Sequence, residues 1–267
     1  MIRKLAKTIK ALFVWTVKGV AGKTSWEWLE LLIVPLFLAM GAFYLEARVE
    51  SRQERIAADR YEQEARIADE RAKQDVLDNY LEKMQGLLLD RGLRESSEDS
   101  EVRSVARAIT TTAIQELGAE RNAVLINFLQ ESDLVGHVKK ESIALLRELD
   151  LRNVNLSGAN LGYTNLTITS LDNTNLSDAY LLYADLSNAV LSGTNLSDAY
   201  LSNANLIGAD LLDADLNGAD LGDANLRYAD LSTAKNLSEE QLEESALCET
   251  KLPEHLKINP NRDCENP

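Results

Sequence analysis

Histidine and cysteine are scarce in this chain: its 267 residues include two of each, with four prolines and 6% aromatic residues. Neither His137 nor His255 stands at a metal-ligand or triad spacing, so zinc-activated water and a histidine-assisted nucleophile have no residues to carry them. His255 beside Cys248 and Cys264 is a loose zinc grouping at most; the plainer reading is three surface residues of a C-terminal tail. The two cysteines form a clip over that tail in an oxidising compartment or stay free thiols in a reducing one. A glycine-rich phosphate loop and a nucleophile elbow are also missing. The chain therefore reads as non-enzymatic, with no catalytic, cofactor-binding or metal site expected.

Basic residues are absent over a long stretch. Residues 153–226 hold nine Asp and no Lys or Arg, whereas residues 1–28 hold six Lys or Arg and one acid. The formal charge of −15 is thus unevenly distributed, and the two ends face different surroundings. The 45% apolar content excludes wholesale disorder.

What fills the acidic stretch is a leucine at every fifth position: Leu151, Leu156, Leu161, Leu166, Leu171, Leu176, Leu181, Leu186, Leu191, Leu196, Leu201, Leu206, Leu211, Leu216, Leu221, Leu226 and Leu231. A helix advances about 100° per residue, so leucines five apart scatter round its cylinder. In a continuous strand every second leucine points to the wrong side. The chain must therefore turn once per repeat, which lets all the leucines point inward in a solenoid of stacked turns. Two residues before each leucine from Leu156 onward stands a small residue, mostly Ala, with Thr164, Thr169, Thr174 and Thr194 among the exceptions and Val154 the one bulky case. The residue just before the leucine is usually Asn or Asp, a turn former whose short side chain satisfies nearby backbone groups.

In segments such as Ala204-Asn205-Leu206, Ala209-Asp210-Leu211 and Ala219-Asp220-Leu221, the chain closely resembles the pentapeptide-repeat family. That resemblance implies a right-handed, four-sided β-helix with about twenty residues per coil, hence a little over four coils rising about 4.8 Å each. It also implies a bacterial, cyanobacterial-type member. Through the topoisomerase-protecting members of the family it raises one alternative function, a DNA-mimicking topoisomerase-binding protein.

Ahead of the repeats the pattern is helical. Residues 1–28 read as a basic amphipathic segment suited to an anionic lipid surface. Residues 29–45 read as a transmembrane helix: Leu31 to Leu45 carry no charge, Trp26, Trp28 and Tyr44 flank or edge the run, and Pro35 is placed to kink it. Lys10, Lys18 and Lys23 before the run and Arg48, Arg52, Arg55 and Arg60 after it set no orientation. Residues 46–95 form a charged helical stalk, either a coiled coil or a solvated helix, with Glu62–Arg66 and Asp69–Lys73 paired four apart. Residues 96–145 supply two helices, the first capped by Ser97 or Ser100 and ending at Gly118, the second over Ala123 to Leu129. Their apolar faces suit the first coil of the solenoid at 146–235. In the tail at 236–267, Ser238 and Gln241 form a capping box that opens a helix through Leu242 and Leu247 over the last coil. The fold class expected is thus α plus β-solenoid: membrane and stalk helices, then a capped β-helix.

Function is left to the outward columns. At twenty residues per coil, Asp178 falls under Asp198, Asp210 under Asp230, Tyr180 beside Tyr200 and Tyr163 beside Tyr183. These eight residues are the candidate partner surface. The reading is a single-pass, membrane-tethered scaffold whose partners are the lipid bilayer, an unidentified protein and a second copy through the stalk, with no nucleic acid expected. Leu206→Asp, which sets a charge in the shared core, is expected to unfold at least its local coil; a thermal denaturation curve unchanged from the parent would refute the inward assignment.

Overall fold

The structure is a computed structural model that describes residues 25–136 and 143–264, with side chains described from Ile33 onward. The basic segment, Trp26, Trp28 and His137 lie outside the described residues or side chains. The chain divides into two compact units, 1–67 and 68–267.

In the first unit the described residues belong to helix α1 (Ser25–Leu89), which contains Pro35. Every side chain from Ile33 to Ile67 is exposed, and Glu62 pairs with Arg66 at 3.1 Å. The uncharged run of fifteen residues advances only about 22 Å against a hydrocarbon core of about 30 Å. Beyond it the helix carries Glu46, Arg48 and Glu50. Among the described residues no helix is long and apolar enough to cross a membrane. This overturns the transmembrane reading of 29–45 and the single-pass placement, and leaves the bilayer without support as a partner.

The second unit opens with the last turns of α1, where Leu77, Tyr80, Met84 and Leu87 become buried. They pack with helices α2 (Glu101–Glu116) and α3 (Ala119–Glu131) into one core continuous with the leucines of the solenoid. Ser100 caps α2 by accepting the Arg103 N–H at 3.3 Å, and Gly118 opens α3 rather than closing α2. Burial pushes the Tyr80 phenol above its ordinary pKa. Its hydroxyl lies 3.1 Å from that of Thr110, which itself donates to the Ala106 carbonyl, so Tyr80 is the donor.

From Leu146 onward each five-residue unit is one side and one corner. The leucine carbonyl accepts from the N–H three residues on, as in Ala159 to Leu156 at 3.1 Å, and the second residue after each leucine from Leu151 to Leu226 has positive φ. This is a type II turn, which needs a left-handed residue at its third position. Asn, Asp and Gly fill most of these positions, as their tolerance of that region predicts. Bridges link residues twenty apart, from Asp150–Ser170 to Asp215–Lys235. Only the middle residue of each side is bridged, so the β-helix is built of single-residue bridges rather than extended strands.

Inward and outward groups then satisfy the backbone. Leu151, Leu181 and Leu206 are buried, as are Ala179 and Ala204, the small residues two places ahead of Leu181 and Leu206. Buried threonines donate to the coil before them at several positions: Thr169 to the Leu146 carbonyl at 2.9 Å, Thr174 to that of Leu151 at 2.6 Å and Thr194 to that of Leu171 at 2.7 Å. Asn and Asp ahead of the leucines accept the N–H two residues on, as Asn155 does from Ser157 at 3.1 Å, and Asn ladders join coils through Asn175 and Asn155.

Side-chain amides close the first coil. Asn122 donates to the carbonyls of Ile114, Leu117 and Asn155, Gln130 to that of Gly162, and Gln115 to that of Asp150. At the other end the expected capping helix is only a 3-10 turn, Glu240–Leu242. Its capping box is formed, with the Ser238 N–H donating to the Gln241 side chain at 2.9 Å and the Gln241 N–H to Ser238 Oγ at 3.4 Å. Past this turn the solenoid resumes: Ala246 bridges Asn225 and Lys251 bridges Asp230, at a register of twenty-one. Leu237, Leu242, Leu247 and Leu252 return to the five-residue spacing after one inserted residue, which shifts the register without ending the ladder.

One corner is strained. Ile168 is β-branched and exposed, yet holds φ at 59°; such a residue costs on the order of 1 kcal/mol or more in this region. Ile168→Asn is expected to raise stability by about 1 kcal/mol, read as a higher urea midpoint at unchanged slope. A lower midpoint would show that the isoleucine side chain contributes more than its backbone costs.

A tyrosine-bearing side of the solenoid

Five residues make one side, so residues twenty apart stack and residues ten apart lie on opposite sides. Tyr180 and Tyr200 sit in the middle of one side as a bridged pair, their rings 4.8 Å apart and 6° from parallel. Asp178 and Asp198 occupy the corner before it. Tyr163 and Tyr183 occupy the corner after it, rings 5.0 Å apart and 13° from parallel. The ring spacing matches the coil pitch of about 4.8 Å, so the backbone itself imposes the stacking.

Six of the eight candidate residues thus share one side. Asp210 and Asp230 do not: they form a bridged pair on the opposite side, and Lys251 extends their column. Its ammonium pairs with Asp230 at 2.7 Å. Partial burial pushes the Asp230 pKa up, but hydrogen bonds from Lys251 and Ser232 outweigh it and hold the carboxyl below its ordinary value. The like-charge column expected there is therefore relieved by a cation from the resumed solenoid.

Two further residues of the tyrosine side escape the sequence reading. Leu182 is exposed beside Tyr183, and Asp220 bridges Tyr200 as the next member of its column. Adding twenty to the tyrosine numbers locates Asp220; Leu182 carries no signal beyond its exposed phase in the repeat. Asp220 is held by two donors, the Ser202 hydroxyl and the Gly222 N–H, the latter at 3.0 Å. Asp198 lies over the next coil at Gly218, where a Cβ would collide with its Oδ1.

A family model for pentapeptide repeats matches in eight copies across residues 144–167, 150–181, 169–206, 184–223 and 199–235. Residues 144–235 belong to the pentapeptide-repeat family. Among solved structures similar to this pentapeptide-repeat domain is HetL of the cyanobacterium Nostoc sp. strain PCC 7120, a protein involved in heterocyst differentiation regulation. It is 38% identical, with 34% of this chain and 47% of HetL covered and a TM-score of 0.30. QnrB1, a plasmid-mediated fluoroquinolone resistance protein, is 21% identical over 39% of this chain and 58% of its own, with a TM-score of 0.28. Rfr23 of the cyanobacterium Cyanothece 51142 is 32% identical over 40% and 86%, with a TM-score of 0.23. The chain thus spans about half the length of HetL and QnrB1. No curated protein matches it.

At the C-terminal end Cys248 and Cys264 are joined in a disulfide, which resolves the choice between a clip and free thiols. His255 turns instead to the Leu237 carbonyl, donating from Nε2 at 3.3 Å. Among the described residues no group of His, Cys, Asp and Glu is arranged to hold a metal ion. Beside the disulfide, Asp263 and Leu247 exchange two bonds: the Leu247 N–H donates to the Asp263 carboxylate and the Asp263 N–H to the Leu247 carbonyl, both at 2.9 Å. The Leu247 N–H holds the Asp263 carboxyl below its ordinary pKa; burial opposes this, and Arg262 at 3.1 Å reinforces it. A depressed carboxyl stabilises the fold above its unfolded-state value, near 4, and that contribution is lost as pH falls through the lower folded value. Exchange protection of the Leu247 N–H, corrected for intrinsic rate, is expected to decline on acidification below about pH 4. Asp263→Asn should remove this dependence; equal acid profiles for parent and variant would contradict the assignment.

Proposed function

We propose that the protein is a non-enzymatic scaffold whose pentapeptide-repeat domain presents the tyrosine-bearing side to a protein partner. One observation carries this reading. Of the seven exposed large apolar side chains in the domain, five (Tyr163, Tyr180, Leu182, Tyr183 and Tyr200) gather on one of four sides. Exposed apolar groups scattered singly need no explanation, whereas a rimmed patch of this kind marks a contact surface, and tyrosine is among the residues that carry most interface energy. The exposed apolar side chains of α1 from Ile33 to Ile67 support a second interface, between copies of the chain.

Mimicry of DNA fits less well. It requires one continuous array of carboxylates, but the aspartate pairs stand on opposite sides and Asp230 is engaged by Lys251. A photo-crosslinking amino acid placed at Leu182 is expected to capture a discrete protein from native extract, while the same group at Ser232, exposed on the opposite side, captures none. Equal capture from both positions would remove the assignment of this side.

A further inference from the structure

The partner's chemistry is set by how the aromatic and acidic columns interleave. Within the Tyr180–Tyr200 pair each ring spends one face on the other. The next residue along that column from Tyr200 is Asp220, one coil pitch away. A group resting on the outer face of Tyr200 therefore meets a carboxylate at once. That carboxylate is pre-positioned: Ser202 donates to one oxygen and the Gly222 N–H to the other, which leaves each oxygen able to accept again. Asp198 flanks the same ring from the corner, lying across Gly218, whose missing Cβ makes room for it. Among the described residues no Lys or Arg forms an ion pair with Asp178, Asp198 or Asp220, and residues 153–226 contain none to offer.

We infer that this side receives an arginine of the partner, its guanidinium stacked on Tyr200 and hydrogen-bonded to Asp220, with Leu182 supporting the apolar centre of the contact. The proposal rests on the protein-interaction reading and adds the identity of the anchoring group. Charge complementarity selects a cation; the juxtaposed ring face and fixed carboxylate select arginine over lysine. A guanidinium is planar and weakly hydrated, stacks on aromatic faces, and donates in a fork that matches a carboxylate, whereas an ammonium is a strongly hydrated point charge.

Two synthetic peptides of equal length and charge, one arginine-rich and one lysine-rich, titrated into the full-length protein at about 0.15 M salt test this by calorimetry. The arginine peptide is expected to bind roughly twofold to fivefold more tightly than the lysine peptide. Tyr200→Leu should abolish that preference, Tyr200→Phe should retain it, and Asp220→Asn should weaken arginine-peptide binding about tenfold. Asp210→Asn on the opposite side should change nothing. Matching thermal midpoints verify that the variants fold. Equal affinity for the two peptides, or equal losses for Asp220→Asn and Asp210→Asn, would overturn the proposal by reducing it to diffuse attraction. If crosslinking from Leu182 still captures a protein in that event, the interaction reading stands and only the arginine is wrong.

Discussion

A five-residue advance with one inward leucine is compatible neither with a helix nor with an extended strand, and the remaining structure is a consequence of that constraint. The chain turns at every leucine, four turns close a coil, and each residue then has a neighbour twenty positions away in each adjoining coil. Because the turn is type II, its third position is left-handed in every repeat from Leu151 to Leu226, which restricts that corner largely to Asn, Asp and Gly. The same geometry leaves one outward residue at the middle of each side and two at each corner. Any surface function must be written in those three columns per side.

Most of the solenoid is legible in the sequence because its signal is local and repeated. Leu151 to Leu231 indicate the turn, the preceding Asn and Asp indicate its hydrogen bonds, and both appear in the structure. The stacking of Tyr180 on Tyr200 and Tyr163 on Tyr183 comes from counting by twenty. Counting by five as well separates the sides, and only this second step places Asp210 and Asp230 away from the tyrosines.

Sequence misleads where one residue or one distant contact decides the outcome. Leu237, Leu242, Leu247 and Leu252 keep the spacing of the ladder, but one inserted residue moves them out of phase, and a capping box beside Leu242 imitates the start of a helix. The roles of Asn122, Gln130 and Gln115 leave no trace in local pattern, since each depends on a backbone carbonyl some thirty residues away. The disulfide likewise needs the resumed coil, which brings Cys248 to within 4.8 Å, Cα to Cα, of Cys264. The apolar run near Pro35 imitates a membrane span by its lack of charge, although its length falls short of one.

A β-helix with uncapped ends is a polymerisation template, since its last coil offers another molecule the bridges it would offer a next turn of its own. Here the amides of Asn122, Gln130 and Gln115 occupy the carbonyls of the first coil, and Arg262, donating to the carbonyls of Leu242 and Ser245, does the same at the other end. These polar side chains act as chain terminators. They occupy backbone carbonyls at both ends of the solenoid and so remove acceptors that end-to-end stacking into filaments would use.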